Sequence, residues 1–212
     1  MFEYFAKFFQ EGGNFMFVIL AGSAFGLAIS AERLYFLYLR CRVNSRTLLS
    51  SITKLVRTDK VGEARKLCTQ SKAPLSIILE SALWHFEQGL PNEEIQNAVD
   101  ETALRELPKV QHRTHYLALL ANVSTLLGLL GTVTGLIGAF GALSAADPSQ
   151  KATLLARGIA ESMNCTAFGL LVGIPCMIAH SIIQSKGSQI IEEIDECSVR
   201  LLNFLFIQRS GK

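Results

Sequence analysis

Residues 114–146 read THYLALLANVSTLLGLLGTVTGLIGAFGALSAA and hold no charged side chain. A helix needs about 20 apolar residues to cross about 30 Å of hydrocarbon, so this stretch can span a bilayer. Two further uncharged stretches, 12–31 and 162–185, are long enough to do the same. Half of the 212 residues are hydrophobic and only 18% are charged. Three such runs in so short a chain leave too little polar surface to enclose them as the core of a soluble bundle. The reading is an all-α integral membrane protein with three transmembrane helices, extended by helices outside the bilayer.

Placement of charge orients the spans. Twelve of the twenty basic residues lie between Arg40 and Arg113, with Arg40, Arg42 and Arg46 after the first span and Arg105, Lys109 and Arg113 before the second. The connection between the second and third spans carries only Lys151 and Arg157. Basic residues stay on the cytoplasmic side. The expected layout is therefore an external segment and first span at 1–39, a cytoplasmic helical region at 40–113 and a second span at 114–146. A short periplasmic loop at 147–158, a third span at 159–185 and a cytoplasmic helix at 186–212 complete it. Glu3, Lys7 and Glu11 mix signs ahead of the first run, which does not fit a secretory signal. Five cysteines, an odd number without a C-x-x-C pair, give no disulfide framework. Cys165 and Cys176 read as small apolar packing residues.

Outside the spans the periodicity is helical. The first span is expected to continue past Ala31, with Tyr35 and Tyr38 as interfacial anchors. Helices are expected over 47–57 and over Val61–Thr69, the latter with Asp59 as its cap, and a stronger one from Pro74 with Ile77, Ile78, Leu79, Leu83, Trp84 and Phe86 facing inward. Gly89-Leu90-Pro91-Asn92 ends that helix, and Asn92 caps the next, with Glu93 and Glu94 in its favourable first turn. Pro108 predicts a kink or break near Glu106. In the tail, Ile190, Ile194, Cys197, Leu201 and Leu205 form an apolar stripe opposite Glu192, Glu193, Asp195 and Glu196.

Small residues mark the second and third spans. Gly128, Gly131, Gly135 and Gly138 recur at spacings of three, four and three, and Thr125 and Thr132 extend that side. Ser162, Thr166, Gly169 and Gly173 repeat the pattern on the third span. Lipid supplies little hydrophobic drive between helices, so close backbone approach through small residues is the source of packing energy. Pro175 is expected to bend the third helix. Asn164 and Thr166 need hydrogen-bond partners inside a membrane protein, and interhelical bonding explains Asn164 better than a functional role does.

Glu161 stands at the external start of the third span, one turn after Arg157. Two readings stay open: a solvated carboxylate at a helix start paired with Arg157, or a group at an aqueous entrance that holds or relays a proton. His180, near the other end of that helix, is a residue type used as a proton switch, but fits an interfacial hydrogen-bonding role better.

Enzyme signatures are missing. His85, His112, His115 and His180 have no metal spacing. Gly128-Leu129-Leu130-Gly131-Thr132 lacks the lysine of a phosphate loop. No cofactor or nucleic-acid motif occurs. A complete proton relay is not encoded either, because Glu161 is the one carboxylate within the expected second or third span.

Gly128-Leu129-Leu130-Gly131-Thr132-Val133-Thr134-Gly135 matches a glycine-leucine-x-glycine-threonine-valine-x-glycine signature. Gly158-Ile159-Ala160-Glu161-Ser162, with Thr166-Ala167, Gly169-Leu170 and Ile174-Pro175, matches a second in the right order. By these residues the chain resembles the MotA/TolQ/ExbB proton channel family, closest to its ExbB/TolQ branch. The resemblance implies a homopentameric ring in the bacterial inner membrane, whose second and third spans line a central cavity. It implies a dimeric, single-span ExbD/TolR-like partner that supplies the titrating aspartate, and an energy-transducing envelope protein beyond it. It also implies that Thr132 and Thr166 are cavity-facing, that Glu161 lies in the proton-access region and that Ser162 and Asn164 adjoin it. Ser162, Asn164, Cys165, Cys176 and His180-Ser181 depart from the common pattern and leave the cargo system open. Two alternatives to a proton-driven motor subunit are a structural scaffold of an envelope or secretion complex and a self-contained ion channel.

Overall fold

The computed structural model describes residues 13–41, 43–145 and 147–210. The expected external segment 1–12, and the residues Arg42 and Ala146, lie outside the described residues. Every regular element described is helical. The helices are α1 (Asn14–Tyr35), continued by a π-helical turn (Phe36–Arg40), α2 (Ser45–Arg57), α3 (Val61–Thr69), α4 (Pro74–Glu87), α5 (Asn92–Gln111), α6 (Thr114–Ala145) and α7 (Lys151–Ser210). Three helical stretches are long and apolar enough to cross a membrane, and the protein is an all-α multi-pass membrane protein. The chain forms two compact units.

The first unit contains α1 as far as Ala31 and the segment Arg113–Ile182. Its core is Met16 and Ile19 of α1 packed with Ala121 of α6 and with Cys165, Phe168, Val172 and Cys176 of α7. Phe17, Phe25 and Leu27 on other sides of α1 are 60%, 67% and 72% exposed. Large apolar side chains left open on a long uncharged helix fit a surface covered by lipid or by protein, not by water. The 32 residues of α6 extend about 48 Å at 1.5 Å per residue, more than the hydrocarbon requires. α7 persists through Pro175, whose missing N–H leaves the Leu171 carbonyl without its usual helical donor.

The second unit contains Glu32–His112 and Ile183–Lys212. α4 packs on α3 and α5, and α2 on α3. Ile52, Ala64, Ile78, Leu83, Ile95 and Leu201 are among its fully buried side chains. The tail stripe is buried as its spacing predicts: Ile194, Leu201 and Leu205 are at most 1% exposed. Arg65 of α3 holds two carboxylates of α4, with Nη1 2.8 Å from Glu87 Oε2 and Nε 3.6 Å from Glu80 Oε1. Arg209 near the end of α7 donates to the carbonyls of Gly89, at 2.7 Å, and Leu90.

The caps differ from the sequence-based assignment. The Asn44 side chain accepts from Thr47 N at 3.2 Å, so α2 starts two residues earlier than expected. The cap position of α3 is Lys60, not Asp59. Asp59 adopts φ +60°, and the bonds Asp59 N to Val56 O and Lys60 N to Leu55 O make it the left-handed residue that closes α2. Gly89, at φ +74°, closes α4 in the same way through Gly89 N to Phe86 O and Leu90 N to His85 O. The cap position of α5 is Pro91, not Asn92. α5 runs through Pro108 to Gln111 rather than ending near Glu106, and the chain turns at Arg113, where φ is +64°. Trp84, expected inside, is 42% exposed.

Candidate functional site

Within the first unit, α6 and α7 meet along glycine. A Cβ on Gly128 would stand 3.2 Å from Thr166 Cα and 3.3 Å from Gly169 Cα. One on Gly169 would stand 2.7 Å from the Ser124 carbonyl oxygen and 3.0 Å from Gly128 Cα. Gly131 faces Cys165, Gly135 faces Ser162, and Gly173 faces Thr125 Oγ1 and Ala121 O. The spacing of three and four therefore places one backbone against the other on successive turns, which an apolar medium permits only between small residues. Gly138, expected on the same packing face, has nothing within 4 Å.

The hydroxyls divide into two groups. Thr166 Oγ1 donates across the contact to Gly128 O at 2.8 Å. Ser162 is 3% exposed and donates to Gly158 O of its own helix at 2.7 Å. Thr132 Oγ1 donates to Leu129 O at 2.6 Å, and Thr134 Oγ1 to Leu130 O at 2.9 Å. Among the residues expected to face a cavity, Thr166 and Ser162 are thus engaged at the α6–α7 contact, whereas Thr132 is satisfied on its own helix. Asn164 is half-buried and makes no hydrogen bond among the described residues.

Beyond the Gly135–Ser162 contact the helices leave a cavity of about 430 Å³, lined by Gly13, Phe15, Gly131, Thr134, Gly135, Gly138, Arg157 and Glu161 among others. Glu161 is half-buried, and Arg157, one turn earlier, is exposed. Both line this space, yet no ion pair joins them among the described residues, so the expected Arg157–Glu161 pair is not formed. The Glu161 carboxylate lies instead over the backbone of Gly13, where a Cβ would be 3.0 Å from Oε1. Gly13 has φ +76°, a conformation that disfavours any side chain, so glycine suits this position. The result is an ionisable group at a polar-walled recess between membrane helices, the setting in which a charge can be held without full dehydration.

Gly13 and Thr134 were not legible as site residues. Gly13 precedes the first span with no periodic signal, and Thr134 sits one residue from the glycine stripe. Among the described residues no group of three His, Cys, Asp or Glu side chains is arranged to hold a metal ion.

Residues 70–196 match the model of the MotA/TolQ/ExbB proton channel family. A curated relative, "Putative biopolymer transport protein ExbB-like 3" of Synechocystis, is 28% identical over 177 residues, 83% of each chain. The Tol-Pal system protein TolQ of Haemophilus influenzae is 36% identical over 110 residues, 51% of this chain and 47% of that one. A solved structure of C. jejuni MotAB aligns with 92% of this chain and 88% of its own, at 16% identity and a TM-score of 0.49.

Proposed function

The chain belongs to the MotA/TolQ/ExbB proton channel family, and we propose that it is the ring subunit of an inner-membrane motor driven by the proton motive force. Membership places it among channel components and not among enzymes. In this reading five copies surround a dimer of a single-span ExbD/TolR-like protein, which carries the titrating aspartate. The amino terminus and the 147–158 segment, which is helical from Lys151 on rather than the expected loop, are periplasmic, and 40–113 and 186–212 are cytoplasmic, as the basic residues indicate.

The observation that carries the reading is the recess where Glu161 and Arg157 face Gly131, Thr134 and Gly135. Glu161 offers a carboxylate that can hold a proton at the entrance, beside the Arg157 cation in the same recess. Thr132 and Thr134 offer hydroxyl oxygens to a protonated partner group passing the otherwise apolar wall. A unit charge crossing the full potential exchanges about 2.3 kcal/mol per 100 mV, so a few protons suffice for mechanical work. The glycine contact lets α6 and α7 act as one wall.

The test is gradient-dependent work by the chain reconstituted with its single-span partner. Glu161→Gln and Thr132→Val should each lower that work at equal membrane abundance, because neither side chain bridges α6 and α7. Unchanged work in both variants would remove Glu161 of the recess and Thr132 of the neighbouring wall from the mechanism and favour a scaffold. Proton conductance by the purified chain without any partner would favour a self-contained channel.

A further inference from the structure

We propose that Arg33 is a positioning residue, a buried guanidinium that caps the end of α5 and holds the segment 32–40 against it. All the contacts lie within the second unit. Arg33 is 5% exposed, although burying a guanidinium is costly and cores rarely do so without a specific partner set. Its Nη2 donates to Glu32 Oε1 at 2.8 Å. Its Nη1 donates to the carbonyl of Lys109 at 3.3 Å, and its Cζ lies 5.3 Å from the centroid of the Phe36 ring.

Lys109 O is one of the last four carbonyls of α5, which have no donor within their own helix. A cation at that place satisfies the carbonyl and complements the negative end of the helix dipole. The donor comes from a residue 76 positions away in sequence, so the bond ties the segment around Arg33 to the last turn of α5. Two neighbours hold the arrangement. Lys109 Nζ is 2.6 Å from Glu106 Oε1, itself almost buried, which keeps that turn of α5 in place. Phe36 also receives Arg40, at 5.7 Å, so its ring is engaged by cations on both sides of it in sequence just where α1 gives way to the π-helical turn.

Stability alone does not account for this residue. Arg33 Nε is buried and has no hydrogen-bond partner, so the group is held at a cost that an apolar side chain of similar length would avoid. Such local violations mark positions kept for geometry. Four residues beyond Lys109 the chain takes the left-handed turn at Arg113 from which α6, the glycine-bearing helix, departs. The functional part of the inference rests on the motor reading above; the capping part does not.

Arg33→Met and Arg33→Lys separate positioning from support. Methionine fills the space without a charge, and lysine keeps the charge without the planar fork. Three quantities are measured on the full-length protein with its partner: thermal stability in detergent, hydrogen exchange at the carboxyl end of α5, and gradient-dependent work at matched abundance. Arg33→Met should keep wild-type stability or exceed it, exchange at least tenfold faster near 109–113, and lose work at least tenfold. Arg33→Lys should recover less than half of that work. Wild-type work by Arg33→Met, or loss of work only in proportion to lost stability, overturns the proposal. Unchanged exchange at 109–113 overturns the cap. Absence of gradient-dependent work in the wild type would count against the motor reading instead, and the exchange result would still decide the cap.

Discussion

Gly169→Ala is the most direct probe of the contact that carries the membrane unit. The added Cβ would lie 2.7 Å from the Ser124 carbonyl oxygen, 3.0 Å from Gly128 Cα and 3.3 Å from Gly128 N. All three are backbone atoms, so no side-chain rotation can relieve the clash. Ordinary contact begins near 3.4 Å, so α6 and α7 must separate by about 0.7 Å at this turn. The Thr166 to Gly128 bond, now 2.8 Å, then stretches to about 3.5 Å, the outer limit of a hydrogen bond. Overpacking of this kind costs about 1–3 kcal/mol, and a weakened interhelical bond adds about 0.6 kcal/mol. Gly138→Ala is the matched control, because nothing lies within 4 Å of its Cβ position and alanine is the better helix former. The assay is reversible unfolding of the purified protein in mixed micelles, followed by helical circular dichroism. Gly169→Ala should lose about 2 kcal/mol, roughly a thirtyfold shift in the unfolding constant, and Gly138→Ala should lose nothing. Equal losses in the two variants, or none in Gly169→Ala, would refute the backbone-contact account.

Three other predictions follow the same geometry. Thr166→Val should destabilise the fold by about 0.5–1.5 kcal/mol in that unfolding assay, whereas Thr132→Val, whose hydroxyl bonds within its own helix, should not; equal effects would contradict the assignment. Cys68 is buried and its thiol is pushed up from 9.0 to about 12, chiefly by desolvation and secondarily by Glu80. It should resist maleimide at pH 8 in the folded protein and react once the protein is unfolded. Because the folded pKa is raised, its contribution to stability is complete below about pH 9 and is lost as pH rises toward 12, an effect that Cys68→Ala should remove from the alkaline stability profile. Arg209→Ala removes both bonds to the Gly89 and Leu90 carbonyls, and should raise hydrogen exchange locally at the α4–α5 turn and the end of α7 while leaving Gly128–Gly169 amides unchanged.

Several features were legible without coordinates because they depend on local chemistry. Three uncharged runs set the membrane class, and helical spacing set the buried stripe from Ile190 to Leu205. Pro74 at a helix start and the Gly89 turn follow from fixed or left-handed backbone preferences, which act within a few residues. The family signatures also lie in short runs around Gly131 and Glu161. Asp59 and Asn92 misled because their side chains suit a helix cap and a turn equally well, and the choice depends on which backbone donors are left over. Pro108 did not end α5, since the packing of Val99, Thr102 and Glu106 on the buried side holds the helix through one missing donor.

What only the tertiary structure decided is which small or polar residue faces which neighbour. Gly128 and Gly138 are equivalent in sequence pattern, yet one lies against another backbone and the other faces open space. Thr166 and Thr132 look alike, but only Thr166 has a carbonyl of the opposite helix within reach. Gly13 became part of the site because the Glu161 carboxylate lies beside its backbone, and the Arg33–Lys109 bond joins residues 76 positions apart. Apolar periodicity states that a face is covered. It carries no information about the partner's identity or depth, and a hydrogen bond between distant segments exists only once two helices have taken their final register.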